Sequence, residues 1–180
     1  MQNIVQKADD AENNLTENRI YSFPPVADAN SRILILGSMP GVKSLDKQQY
    51  YGHPQNAFWK IMFRLLKVDP TEVYDEKIDL LKKNHIALWD VIDSCEREGS
   101  LDSAIKNEQA NKVEELLETH PNIRAIFCNG QKSYKNLQKI LGKNFSTPIY
   151  ALPSTSPLHT ISLETKIDDW RVILDYLNPD

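Results

Sequence analysis

Apolar residues along this chain fall into short continuous runs separated by longer amphipathic stretches. Four runs read as buried strands: Arg32 to Leu36, His85 to Trp89, Arg124 to Cys128 and Pro148 to Leu152. Each is short, rich in β-branched or aromatic residues, and bounded by turn formers. Between them the period changes to that of a helix. Phe58, Ile61, Met62, Leu65 and Leu66 follow the i, i+3, i+4, i+7, i+8 spacing and predict an amphipathic helix over Gln55 to Lys67, with Pro54 at its start. Weaker patterns cover Thr71 to Lys83 and Asn111 to Glu118. Tyr134, Leu137, Ile140 and Leu141 form another stripe, closed by Gly142. A last helix carries Ile167, Trp170, Ile173, Leu174 and Leu177. Strands alternating with helices predict a mainly parallel four-stranded sheet covered on both faces, a three-layer α/β/α sandwich. The polar start, with Asp9, Asp10, Glu12 and Glu17, reads as a disordered leader over residues 1–20, leaving 21–180 as one domain.

Composition narrows the function classes. The 180 residues are 41% hydrophobic and 26% charged, ordinary proportions for a globular chain. Cys95 and Cys128 form no C-x-x-C pair, so neither a zinc site nor a disulfide framework is expected, and two cysteines cannot supply the four ligands of an iron–sulfur cluster. No metal or other cofactor is expected. No signal peptide and no membrane-spanning run stand out, which makes the cytoplasm the expected compartment, with no membrane partner. The net charge of −4 argues against a broad nucleic-acid surface, although a local basic rim can serve where the total does not.

In sheets of this kind, chemistry sits where the strands end. The four tips are Gly37-Ser38-Met39-Pro40-Gly41, Asp90-Val91-Ile92-Asp93-Ser94, Asn129-Gly130-Gln131-Lys132 and Pro153-Ser154-Thr155-Ser156-Pro157-Leu158-His159. All are rich in small and polar residues, and parallel strands bring them to one edge. The first tip lacks the endings of a phosphate-binding loop. It continues into Tyr50-Tyr51-Gly52-His53-Pro54-Gln55-Asn56-Ala57-Phe58-Trp59, which is unusually dense in special residues for a connector.

These strings resemble a known family. G-x-x-P-G after a strand, followed by H-P-x-N-x-F-W, is similar to the first motif of the uracil-DNA glycosylase superfamily. Pro153-Ser154 with Ser156-Pro157 resembles its second motif. The resemblance runs from about Phe23 to Trp170. The hypoxanthine-DNA (deoxyinosine) glycosylase branch is the most similar, since its G-S-x-P-G, Y-Y-G-H-P-x-N-x-F-W, L-W-D-V and L-P-S-T-S-P strings are all present. Two positions depart from the wider pattern. Met39 stands where many members place an Asn or Asp that orients water. Leu152 stands where many place a His that stabilises the leaving base.

The resemblance implies an enzyme that extrudes a damaged nucleotide from DNA and hydrolyses its N-glycosidic bond. No lysine occupies an obvious Schiff-base position, so lyase chemistry is not expected. Hypoxanthine is the expected base. Uracil or mismatch-specific excision, or a catalytically inactive damage-recognition module, are the alternatives. Asn56, Asp90 and Ser38 are the candidate catalytic residues. Asn56 is placed to orient water, or is a helix-start polar residue. Asp90 is placed to accept from the base edge, or is a helix cap or loop carboxylate. Met39, Phe58, Tyr51 and Asp90 are the candidate base-binding residues, with Phe58 equally compatible with a core position on its helical stripe. Ser154, Ser156, His159, Lys43 and Lys132, with Lys135, are candidates for holding DNA. Leu158 is the candidate wedge into the vacated stack, or a residue packed on the last helix. His53 is read as bracing its loop. The expected partner is DNA carrying a damaged base, bound by a monomer.

Overall fold

The computed structural model describes residues 18–178. Four strands, β2 (Ile33–Gly37), β3 (Ile86–Asp90), β6 (Ala125–Asn129) and β7 (Ile149–Leu152), pair in parallel in the order β3-β2-β6-β7. β2, β3 and β6 each end one residue beyond the sequence expectation. That shift matters, because it makes Gly37, Asp90 and Asn129 the last residues of their strands. Gly37 pairs with Asp90, and Asn129 with Leu152.

The two faces of the sheet are both apolar, as a parallel sheet requires. Ile33 and Ile35 of β2 join Leu88 and Phe127 on one face. There they meet α2 (Phe58–Leu66), α3 (Tyr74–Lys83) and α6 (Leu163–Trp170), through Ile61, Met62, Leu65, Leu81, Ile167 and Trp170. Leu34 and Leu36 point the other way, with Ala87, Ile126 and Cys128. They meet α4 (Val113–Thr119) and α5 (Gln131–Leu141), through Val113, Leu116, Leu137 and Leu141. The result is the three-layer α/β/α arrangement. A short α1 (Val42–Lys47) lies in the loop after β2. Val26 exchanges two backbone hydrogen bonds with Leu88 and so covers the outer side of β3. Among the described residues no helix is long and apolar enough to cross a membrane.

Several expectations need correction. The segment after β3 is not a loop. After Val91 alone the chain enters β4 (Ile92–Glu96), which pairs antiparallel with β1 (Arg19–Tyr21) and with β5 (Lys106–Ala110) in a second sheet. No helix follows Asp90, so it caps none. Arg19 and Ile20, assigned to the leader, belong to β1, and the rest of that stretch up to residue 17 lies outside the described residues. The helix expected from Gln55 begins only at Phe58, so Asn56 lies in the turn before it. The last helix breaks after Trp170 into a 3₁₀ segment, Arg171–Tyr176.

Candidate active site

The carboxyl ends of the parallel strands open into a cleft of about 500 Å³. Gly37, Asp90 and Asn129 border its floor. The loop after β2 and the loop after β7 form much of its walls.

Asp90 is the electrostatic centre of this floor. Its side chain is buried, with 4% of the residue exposed, and its Oδ2 has no hydrogen-bond partner. Its main-chain carbonyl accepts from Asn111 Nδ2 at 2.8 Å, which holds the strand end in place. Burial pushes the carboxyl group up to about 7. The Asp102 carboxylate adds to the rise, and the Arg97 guanidinium opposes it. Gly37 makes room for the group: a β-carbon there would fall 2.4 Å from Asp90 Oδ1 and 3.0 Å from Tyr51 Oη. Any other residue at the end of β2 would displace one of them.

Tyr51 is held by its neighbours in a conformation that a bulky residue avoids, with φ of 53°. Gly52 N–H donates to Ser44 Oγ at 2.9 Å, and Lys47 Nζ donates to the Gly52 carbonyl at 2.8 Å. Trp59 Nε1 donates to the Tyr50 carbonyl at 3.0 Å, and Tyr50 Oη donates to the Pro24 carbonyl at 2.8 Å. Tyr51 stacks on Phe58 with ring centroids 4.1 Å apart. Its hydroxyl is buried and makes no well-formed hydrogen bond. Burial and the Asp90 charge push that hydroxyl well above its ordinary range, so it stays protonated and can donate.

This geometry corrects the aromatic assignment. Phe58 is fully buried and does not border the cleft; Tyr51 covers it and faces the cleft instead. Met39 borders the cleft, but its side chain is buried in the apolar cluster with Leu36, Ala87 and Val91. Leu152 is buried in the opposite cluster and is not a cleft residue. Neither departure from the motifs therefore presents its side chain mainly to the cleft.

The turn before α2 is built around Asn56. Its Oδ1 accepts from Phe58 N–H at 3.0 Å, and its own N–H donates to the His53 carbonyl at 2.9 Å. Asn56 thus closes the turn and borders the cleft as well. His53 Nδ1 accepts from Gln55 N–H at 3.0 Å, which braces the same turn.

The loop after β7 is fastened from several sides. Asn129 grips Thr155 twice: Nδ2 donates to Thr155 Oγ1, and Oδ1 accepts from Thr155 N–H, both at 2.9 Å. Ala57 N–H donates to the Thr155 carbonyl at 2.9 Å, joining this loop to the turn before α2. Trp170 Nε1 donates to the Pro153 carbonyl at 2.9 Å, and the buried Lys166 donates to the Ser156 carbonyl at 3.1 Å. Gly130, with φ of 92°, passes so close to Ser154 that a β-carbon would lie 3.3 Å from the Ser154 Cβ. Above these fastenings Leu158 stands 62% exposed at the mouth, so it does not pack on the last helix. His159 and Lys43 are exposed and also border the cleft.

Lys132 is not among the residues around the cleft. It pairs with Glu108 of β5 at 2.9 Å and does not border the cleft, and neither does Lys135. Ser38 borders the cleft, and its Oγ donates to Asp102 Oδ1 at 2.7 Å. Residues to which the sequence reading gave no role include Asn129, Thr155, Lys166, Gly37 and the 100–103 segment. Asn129 and Thr155 stand in the strand-tip strings, so position at a tip was the available signal. Lys166 and the 100–103 segment carry no local signal at all.

Comparison with known proteins agrees with this geometry. Residues 24–178 match the family described as the Uracil DNA glycosylase superfamily. The chain belongs to the uracil DNA glycosylase superfamily. A hypoxanthine DNA glycosylase of Methanosarcina barkeri is 40% identical over 82% of this chain and 93% of its own length. A second, from Methanosarcina acetivorans, is 38% identical over 84% and 95%. A solution NMR structure from Methanosarcina acetivorans, described as a candidate uracil DNA glycosylase, superimposes with a TM-score of 0.75. It is 36% identical and covers 88% of this chain and 98% of its own.

The Asp90 environment in this superfamily member has a thermodynamic consequence. The fold raises the pKa of Asp90, so it binds that proton more tightly than the unfolded chain does. The stabilisation is full below the ordinary carboxylate range and is lost as pH rises through about 7. Asp90→Asn, which mimics the protonated group, should therefore melt no lower than the parent at pH 8. The drop in melting temperature between pH 5 and pH 8 should be smaller in the variant. An identical drop in both proteins would contradict the assigned environment.

Proposed function

We propose that this protein excises hypoxanthine from DNA, extruding deoxyinosine into the cleft and hydrolysing its N-glycosidic bond to leave an abasic site. The observation that carries this reading is a pair of buried, unpaired side-chain atoms in two residues that border the cleft. Asp90 Oδ2 accepts and Tyr51 Oη donates. Hypoxanthine presents the complementary pair on adjacent atoms, an N1–H donor beside the O6 acceptor. Adenine and cytosine present the reverse order, an acceptor ring nitrogen beside an amino group, and would set a lone pair against the Asp90 carboxylate once it is ionised, above about pH 7. The floor therefore separates hypoxanthine from adenine and uracil from cytosine.

Charge favours hypoxanthine over uracil. A carboxylate facing uracil N3–H is flanked by two carbonyl oxygens, which repel it. Facing hypoxanthine N1–H it is flanked by one carbonyl and a C2–H. Guanine offers matching donors, but its pair with cytosine is costlier to open than the weaker pairs of inosine. The names of the curated relatives point to the same base.

The remaining residues have separable tasks. Asn56, on the cleft wall, orients the attacking water while its Oδ1 keeps the turn closed. Tyr51, backed by Phe58, offers the aromatic face. Ser154 and Ser156 each accept from a backbone N–H two residues ahead, at 3.2 Å, which leaves their hydroxyl hydrogens to donate to phosphate oxygens. Leu158 enters the gap in the stack. Among the described cleft residues the lysine is Lys43, exposed to solvent rather than placed to form a Schiff base. The chemistry is then plain hydrolysis, helped by electrostatic stabilisation of an oxocarbenium-like sugar.

Single-turnover assays on duplexes carrying inosine, uracil, xanthine or only normal bases, followed by alkaline cleavage, test the reading. Inosine should be released fastest and adenine and cytosine not at all. Binding of inosine duplexes without a cleavable product would favour a damage-recognition module. Asn56→Ala should slow inosine release by on the order of 10²-fold with DNA affinity nearly kept. An unchanged rate in the folded variant would remove Asn56 from the mechanism. Leu158→Ala should slow excision from duplex DNA by about tenfold or more, leaving single strands and the melting temperature untouched. Equal losses on the two substrates would rule out the wedge.

A further inference from the structure

The segment between β4 and β5, residues 97–105, reaches the cleft from the β3 edge of the sheet. The 153–159 loop reaches it from the β7 edge. The 97–105 segment is latched to the loop after β2. Ser38 Oγ donates to Asp102 Oδ1 at 2.7 Å, Val42 N–H donates to Ser100 Oγ at 2.9 Å, and the Arg97 guanidinium donates to the Pro40 carbonyl. A short 3₁₀ turn, Asp102–Ala104, then closes it, with Ala104 N–H donating to the Leu101 carbonyl at 3.1 Å. At the tip, bordering the cleft, stands Leu101, 52% exposed.

A single exposed leucine is ordinary. Two features separate Leu101 from that background. Among the described residues the exposed large apolar side chains that border the cleft are Leu158, Leu101 and, less exposed at 42%, the shorter Val42. The lip that carries Leu101 also turns no cation outward to phosphate, since Arg97 is the one basic residue of the 97–105 segment. Asp102 adjoins Leu101, and the Arg97 side chain is turned inward onto the Pro40 and Gly99 carbonyls. An apolar tip on an acidic, latched turn fits base faces better than backbone oxygens.

We propose that Leu101 is a second insertion residue. With the nucleotide extruded between the two lips, Leu101 packs against the base pair flanking the gap, on the side opposite Leu158. Extrusion kinks and unstacks the duplex there, and apolar wedges are what hold such steps open. The proposal rests on the reading of the cleft as a site for an extruded nucleotide, but not on which base is removed.

The test is binding, measured by fluorescence anisotropy, to a duplex carrying a tetrahydrofuran abasic analogue, to the same duplex without it, and to the analogue-bearing single strand. The parent protein should prefer the analogue duplex; no preference would overturn the cleft reading and this proposal with it. Given that preference, Leu101→Ala should weaken analogue-duplex binding by about tenfold, leaving single-strand binding and the melting temperature unchanged. Leu101→Met should restore most of the loss. Unchanged duplex binding, equal losses on duplex and single strand, or a lowered melting temperature would overturn the role of Leu101 alone.

Discussion

Keeping a carboxyl group out of water without a partner for one of its oxygens is costly, and the floor of this cleft is arranged to hold Asp90 in that condition. The parallel register sets Gly37 beside Asp90, and the missing side chain of Gly37 leaves space that the carboxylate and the Tyr51 hydroxyl both use. Asn111 fixes the Asp90 main chain. Tyr51 accepts a strained backbone because Ser44, Lys47 and Trp59 hold the residues on either side of it. Strain and an unpaired buried donor and acceptor converge at one place, as expected where a ligand rather than the fold completes the hydrogen bonding.

The position of the cleft follows from the winding of the sheet. From β2 the chain crosses to β3 on one side, then returns past β2 to β6 on the other. The loops after neighbouring strands diverge at such a reversal and leave a crevice at the carboxyl ends. Here the loop after β2 supplies Tyr51 and Asn56, and the strand end of β6 supplies Asn129, which clamps the loop after β7 through Thr155. The Ala57–Thr155 bond ties the two loops together. These cleft residues thus sit on braced supports, and the exposed Leu101 and Leu158 also border the cleft.

Much of this was legible in the chain. The four parallel strands are continuous apolar runs because both faces of the sheet are covered, and that pattern is hard to mistake. The second sheet was not legible. Its β5 strand, Lys106–Ala110, is exposed throughout, and β1 spans only three residues, so neither carries a hydrophobic signature. Asp90 and Asn56, singled out by position at a strand tip and by motif, both border the cleft. Of the two aromatic candidates, Phe58 takes the core position that its helical stripe also allowed, whereas the positive φ that turns Tyr51 over it has no sequence pattern. The pairing of Lys132 with Glu108, 24 residues away in another element, is a tertiary fact that charge composition cannot show.

The central claim is that Asp90 and Tyr51 together read the edge of an extruded, deaminated base. The most direct measurement is a crystal structure of the protein on a duplex carrying 2′-fluoro-deoxyinosine, whose glycosidic bond resists hydrolysis. The account predicts an extruded base with N1 within about 3 Å of an Asp90 carboxylate oxygen and O6 within about 3 Å of the Tyr51 hydroxyl. A base seated in the cleft with that edge turned away from both groups would contradict it.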